Sequence, residues 1–196
     1  MTTQNAQTTK GFPIHTEESA PDAAGLLARS TEAYGFVPNL HGILAEAPKA
    51  LDGYQRLFAL FGETSFTPAE QQVVYLTANR ENECRYCMAG HSVMAKSAGL
   101  GAAAIAALRD GRALTDPRLD ALRRFTSLVV TQRGWVGEDA VAAFLEAGFT
   151  RQQVLEVVLG VATKVISTYA NHLADTPLDG FMKDNVWAPT EKRAAA

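Results

Sequence analysis

The chain has two cysteines, Cys84 and Cys87, three positions apart, and His91 follows four positions later. At about 100° per residue, helical positions 84, 87 and 91 fall at about 0°, 300° and 340° around the axis. A helix through them therefore presents two thiols and an imidazole on one face. At this i, i+4 spacing the imidazole can take the Cys87 proton or pair with its thiolate. Cys84 would lie in the first turn, where unpaired amides favour an anion. A free thiol of pKa about 8.5 is only about 3% ionised at pH 7, and about 2 kcal/mol of anion stabilisation makes roughly half of it nucleophilic. A helix end contributes ~0.3–1 kcal/mol and an adjacent imidazolium supplies the rest. Such a face can run a dithiol/disulfide cycle. Two other readings use the same residues. One is a zinc site completed by His172 or a carboxylate, strained because three ligands would come from one helix. The other is a pair of buried structural cysteines beside a satisfied histidine. The redox centre needs only what is present.

The elements that must carry this face are helices. Thr67-Pro68-Ala69-Glu70 is a capping box with proline at the first helical position, so a helix starts there and runs to about Asn82. Asn82 can cap the next, through the cysteines to Ala98, with Gly99 as its stop. Upstream, Asp22–Tyr34 reads as a first helix, and Pro48–Gly62 carries Leu51, Tyr54, Phe58 and Phe61 as an amphipathic stripe. Downstream, Asp116-Pro117 opens a helix closed by Gly134, Glu138–Ala147 forms another, and Thr150-Arg151-Gln152-Gln153 is a second capping box that starts a helix to about His172. The two boxes hint at a weak repeat, each opening a helix that ends near a histidine. No run alternates as a strand would, so the fold class is all-α, a helical bundle. Residues 1–20 read as a flexible arm, 21–187 as one helical domain (redox half about 48–100, second half about 116–181) and 188–196 as a tail.

Composition narrows the function. With 47% hydrophobic residues among 196 the chain can bury a core, and a net charge of −3 offers no basic face for nucleic acid. No apolar stretch approaches the roughly 20 residues of a membrane span, the longest being Ala98–Leu108, and the polar Met1–Lys10 does not read as a secretory signal. A cytoplasmic protein is the expectation, with no membrane and no nucleic-acid partner. Two cysteines so close together concern reactivity or metal rather than stapling.

The stretch from Thr67-Pro68-Ala69-Glu70-Gln71-Gln72-Val73-Val74 through Glu83-Cys84-Arg85-Tyr86-Cys87-Met88-Ala89-Gly90-His91 resembles the alkylhydroperoxidase D-like, or carboxymuconolactone decarboxylase-like, family. Tyr34-Gly35-Phe36-Val37-Pro38-Asn39-Leu40 and Tyr169-Ala170-Asn171-His172 resemble its peroxidase-related branch. The resemblance implies an all-helical fold assembling as a homo-oligomer, in trimers or trimers of dimers. It implies a thiol peroxidase or disulfide reductase that needs no cofactor, because the electrons reside in the cysteines. It gives Cys87 the role of peroxide-attacking thiolate, His91 that of its activator and Cys84 that of resolving thiol. Cys87 would become a sulfenic acid, Cys84 would condense with it to a disulfide, and an external dithiol would reset the pair. Helix-end electrostatics alone nominate Cys84 as the nucleophile instead. The class-different alternative is a redox-sensing or binding module without turnover. The decarboxylase reaction of the family's name acts on an acidic lactone and does not require two thiols.

Twelve positions before Cys84 stands Gln72, where the family carries a glutamate. A glutamine can orient His91 or hold water but cannot relay a proton by ionising. Glu156 and His172 are substitutes if their helix packs beside the motif. Tyr86 reads as a packing aromatic, Trp135 and Trp187 as core or subunit contacts, and Arg118–Arg124 as a solvated helical face. His15 and His41 show no pattern.

Overall fold

A computed structural model describes residues 8–189. Nine α-helices are found among the described residues: α1 (Ala24–Tyr34), α2 (Asn39–Leu44), α3 (Pro48–Gly62), α4 (Pro68–Glu81), α5 (Arg85–Ser97), α6 (Ala102–Asp110), α7 (Pro117–Thr131), α8 (Glu138–Glu146) and α9 (Arg151–Ala174). The predicted starts of α4, α7 and α9 hold because their caps form. Thr67 Oγ1 accepts from the Glu70 amide while Glu70 Oε2 accepts from the Thr67 amide, and Thr150 and Gln153 do the same for α9. Asp116 accepts from the amides of Arg118 and Leu119 at the head of α7. Two helices were not foreseen: the six-residue α2, too short to show a period, and α6, whose alanines carry almost no pattern.

The α4–α5 corner differs from the expected cap. Asn82 ends α4 rather than starting α5. Glu83 takes a left-handed φ of 53°, its amide donates to Arg80 O at 3.0 Å, and the Cys84 amide reaches Asn79 O at 2.9 Å. This pair of bonds is a Schellman closure with glutamate in the place usually held by glycine. Cys84 thereby becomes the N-cap of α5, its Sγ accepting from the Cys87 amide at 3.4 Å. The suggested repeat does not survive, since His91 lies on α5, the helix after the one its capping box opens.

Residues 8–20 are not a free arm; residues 1–7 and 190–196 lie outside those described. Thr8–Thr9 and Phe12–Pro13 pair as a two-stranded antiparallel hairpin, and Thr9 Oγ1 donates to the Ala174 carbonyl at 2.7 Å, closing the end of α9. The His15 amide bonds Gly42 O at 3.1 Å. At the other end Trp187 is buried and donates from Nε1 to Arg109 O at 2.9 Å, whereas Trp135 is 88% exposed and belongs to no core. Arg118 is not simply solvated: it pairs with the buried Glu70 at 3.1 Å and lies over the Phe149 ring.

The two halves read along the chain interleave in space. One core cluster joins α4, α6, α7, α8 and α9 through Val74, Leu76, Leu108, Leu122, Phe125, Phe144 and Val157. The other gathers Leu27, Leu40, Leu51, Tyr54 and Met182 around both cysteines. Helix α9 serves as the wall between them. It is 24 residues long and contains an 18-residue stretch of mean hydropathy 1.2, enough by length and composition to cross a bilayer, which the sequence expectation of no such stretch did not foresee. Yet its inward stripe is Thr163, Lys164, Ser167, Thr168 and Asn171, all buried against the motif helix and its neighbours. Gly160 sets the approach. A Cβ there would stand 2.7 Å from Phe61 Cε2 and 2.9 Å from Val74 Cγ1, so only glycine lets α9 come this close to α3 and α4.

Candidate active site

Both cysteines are free thiols and buried, Cys84 at 0% and Cys87 at 3% exposure. Helix α5 brings Cys87 and His91 to its inner face, as the spacing requires. The groups that complete the cluster come from α9. Asn171 Nδ2 donates to Cys87 Sγ at 3.3 Å and to Cys84 Sγ at 3.8 Å. Ser167 Oγ and Thr168 Oγ1 lie 3.7 and 3.8 Å from Cys87 Sγ. One turn earlier, Lys164 Nζ stands 3.0 Å from His91 Nε2, and on the opposite edge of the ring His91 Nδ1 meets Gln72 Oε1 at 2.9 Å.

These contacts assign the proton positions. A glutamine oxygen only accepts and an ammonium only donates, so His91 carries its proton on Nδ1 and offers the Nε2 lone pair to Lys164. Burial, and then the charge of Lys164, push His91 well below the ordinary histidine range. The imidazole is neutral. It is not the imidazolium that the sequence suggested as the thiol's activator; the cation beside the thiols is Lys164.

The two thiols are driven apart electrostatically. Burial opposes the Cys87 anion, but the hydrogen bond from Cys84, the Lys164 charge and the Ser167 and Thr168 hydroxyls together hold Cys87 well below the usual cysteine range. Cys84, by contrast, is raised: it donates to Cys87, it is desolvated, and it feels the Cys87 charge. The amide it accepts at the helix start does not reverse this, so the helix-end argument for Cys84 fails on magnitude. A helix end contributes under about 1 kcal/mol here, against several specific bonds at Cys87.

Cys87, His91 and Lys164 border a cavity of about 390 Å³ whose remaining wall is mainly aromatic, from Tyr34, Phe36, Tyr54, Phe58 and Phe181. His41 also lines it, buried and 2.7 Å by Nδ1 from Ser30 Oγ, and its burial lowers the ring to about 4. Cys84 lines a different space, a cleft of about 690 Å³ that shares only Tyr86 with the cavity. Tyr86, between the cysteines, buries its hydroxyl in a very short bond to Asp179, whose Oδ1 caps the Asn39 amide at 3.1 Å. Tyr86 thus ties α5 to α2 and to the segment after α9.

Of the residues singled out in the sequence, Cys84, Cys87, His91 and Gln72 come together. His172 does not join the thiol cluster: it is exposed on the rim of the Cys84 cleft, because Asn171 takes the inward position on that turn. Glu156 is remote, its carboxylate accepting from the Ser65 amide and hydroxyl. Lys164 and Asn171 were missed. Their signal was a run of polar residues at three- and four-residue intervals, Thr163, Lys164, Ser167, Thr168 and Asn171, inside an otherwise apolar helix. For metal the residues do not fit, since both ring nitrogens of His91 are engaged and no group of three or more His, Cys, Asp or Glu side chains gathers among the described residues.

No curated protein matches the chain in sequence. Several solved structures share its fold. A peroxidase-related protein from Ralstonia eutropha JMP134, an alkylhydroperoxidase AhpD core, matches with a TM-score of 0.79 and 17% identity over 90% of this chain and 95% of its own. The debrominase Bmp8, known apo and as a cysteine-to-alanine variant bound to 2,3,4-tribromopyrrole, matches with a TM-score of 0.73 and 13% identity over 93% of this chain and 97% of its own. A peroxidase-related protein from Silicibacter sp. TM1040 gives 0.70 and 15% over 97% of each chain. Residues 45–127, which hold α3, α4, the cysteine pair and His91, match the carboxymuconolactone decarboxylase family model, and the chain as a whole shares the all-helical fold of these alkylhydroperoxidase-like structures.

Proposed function

We propose that this protein is a thiol peroxidase that reduces organic hydroperoxides with the Cys84–Cys87 pair. One observation carries the reading: the acidified thiol of Cys87 borders an apolar cavity together with Lys164, while Cys84 stands behind it as a second, protonated thiol. The Cys87 thiolate attacks the terminal peroxide oxygen and the O–O bond breaks. The departing alkoxide takes a proton at the Lys164 side of the cavity, leaving an alcohol and a Cys87 sulfenic acid. Cys84 then displaces water from that sulfenic acid and the disulfide forms. A dithiol reductant returns both cysteines to thiols by exchange. His91, neutral and held by Gln72, orients the Lys164 ammonium rather than removing a proton.

Mixing the reduced protein with cumene hydroperoxide tests this directly. Two thiols per chain should disappear as one intramolecular disulfide, seen by alkylation and mass spectrometry. Cys87→Ser should abolish the reaction, and Cys84→Ser should leave a Cys87 sulfenic acid that dimedone traps. Thiols that persist under peroxide, or the reverse pattern of variants, would reject the reading. A redox sensor would instead oxidise once, change its assembly and show no steady consumption of peroxide with dithiothreitol. Assembly as a homo-oligomer is part of the same proposal, since Leu155, Val158, Tyr169 and Leu173 leave an exposed apolar stripe on the outer face of α9 for a second copy. Sedimentation should give a mass above 21.0 kDa.

The aromatic lining of the cavity and the debrominase among its structural neighbours favour one further reading. The same dithiol could reduce a carbon–bromine bond, yielding C–H, bromide and the disulfide. Bromide release from a bromopyrrole, absent with Cys87→Ser, would establish it.

A further inference from the structure

The two sulfurs face different compartments. Cys87 borders the aromatic cavity, whereas Cys84 borders the cleft between the N-terminal hairpin, the α4–α5 corner, the end of α9 and the segment near Ala188. That cleft carries Lys10, Glu83, Arg85, His172 and Asp175, with Arg85 and Lys10 paired to Asp175 at 3.0 and 3.9 Å, so it is polar where the cavity is mainly apolar. Asn171 stands between the two spaces. Its Nδ2 bonds both sulfurs, it lines the cleft, and its buried Oδ1 has no hydrogen-bond partner.

We infer that the cleft at Cys84 is a separate docking site for a polar dithiol reductant, so that oxidant and reductant reach the cysteine pair from opposite sides. This rests on the dithiol reading above. A thiolate attacks a disulfide in line with the S–S bond, on the side of the attacked sulfur away from its partner. Of the two sulfurs Cys84 lines the polar cleft and Cys87 the substrate cavity, so a reductant in the cleft meets Cys84 first. The leaving group agrees, because attack at Cys84 expels Cys87, the sulfur whose anion the site stabilises, and a more acidic thiol leaves faster. The step balances. One thiolate of the reductant bonds to Cys84 Sγ while the S–S bond breaks and its electron pair leaves on Cys87. The second thiol of the reductant then displaces Cys84, giving a cyclic disulfide, a Cys84 thiol, a Cys87 thiolate and one proton to solvent. Substrate and reductant need not compete for one opening.

Two small-to-large variants at the mouths of the two spaces test the sidedness: Ala188→Trp at the cleft and Ala33→Trp at the cavity. The disulfide is made with diamide, so its reduction by dithiothreitol is measured without any hydroperoxide. Ala188→Trp should slow reduction about tenfold or more and leave peroxide oxidation within about twofold; Ala33→Trp should do the converse. Wild-type rates of reduction in Ala188→Trp, or equal slowing of reduction in both variants, would overturn the inference. The unmodified chain gives a second measure. Diamide-oxidised protein is quenched with N-ethylmaleimide shortly after 2-mercaptoethanol is added, and should carry the mercaptoethanol on Cys84 and the maleimide on Cys87. The opposite labels overturn the inference. A chain that reduces through Cys84 but never reacts with hydroperoxide would sink the proposed peroxidase and leave the sidedness standing.

Discussion

Lys164 Nζ lies 3.0 Å from His91 Nε2 although the two residues are 73 positions apart. The contact makes the imidazole a rest for the ammonium rather than a base. Lys164 is also the one cation among the groups that lower Cys87. Lys164→Met keeps the volume and removes the charge, and the loss of one adjacent positive charge moves a pKa by ~1–3 units. The midpoint of Cys87 alkylation against pH should rise by that amount. His91→Ala should raise it less, since it frees Lys164 without deleting it. A midpoint unmoved in Lys164→Met would show that the hydroxyl and amide donors suffice alone.

Gln72 is the second lever. It accepts from His91 Nδ1 at 2.9 Å, in a position where it cannot ionise. Gln72→Glu would set a carboxylate against that ring nitrogen, and an opposite charge in contact favours the protonated ring. His91 should then titrate near or above its ordinary value of about 6.5 in an NMR titration. In the unaltered protein the same resonances should hold their neutral shifts across that range. A ring that stays neutral at pH 5 in Gln72→Glu would mean that Lys164, not the residue at 72, sets its charge.

The contrast between residues 72–91 and α9 explains what the sequence could disclose. Caps are local chemistry, so Thr67 with Glu70 and Thr150 with Gln153 announce their helices within four residues. The motif is equally local, and its helical spacing brings Cys87 and His91 to one face before any tertiary contact is known. Lys164 and Asn171 reach the thiols only because α9 crosses α3 and α4 at Gly160, and no local pattern encodes that crossing. The N-terminal hairpin was illegible for a different reason: strands of two residues are too short to alternate. Cys84 as a cap was hidden by Glu83, a left-handed residue that sequence alone assigns to glycine.

His41 gives the fold a pH dependence. Burial lowers it to about 4 from 6.5, so the unfolded chain binds the proton more readily than the folded one. Stability is therefore complete above the unfolded value and is lost as the pH falls from 6.5 toward 4. Between pH 7 and pH 5 the loss from this one group amounts to ~2 kcal/mol. His91 adds to the fall with the same sign. His41→Gln, which can still bond Ser30, should shrink the difference in urea-unfolding free energy between those two pH values by about that amount. An acid limb as steep as the parent's would locate the sensitivity elsewhere.

Gly160 carries the last prediction, in which two effects oppose each other. Alanine in a helix interior is favoured over glycine by ~1 kcal/mol. Here its methyl carbon would meet Phe61 at 2.7 and 2.8 Å and Val74 at 2.9 Å. Phe61 and Val74 are themselves 0% exposed and packed on every side, so neither can move without displacing the core. Overpacking of this kind costs ~1–3 kcal/mol and exceeds the propensity gain. Gly160→Ala should therefore lower the unfolding free energy, and because Lys164 lies one turn further along α9, the outward shift should also withdraw its charge from Cys87. Both readouts are expected to move together: a lower urea midpoint and a higher Cys87 alkylation midpoint. A stabilised variant would mean that α9 has room to spare at this crossing, and a destabilised one with unchanged thiol reactivity would detach Lys164 from the position Gly160 gives it.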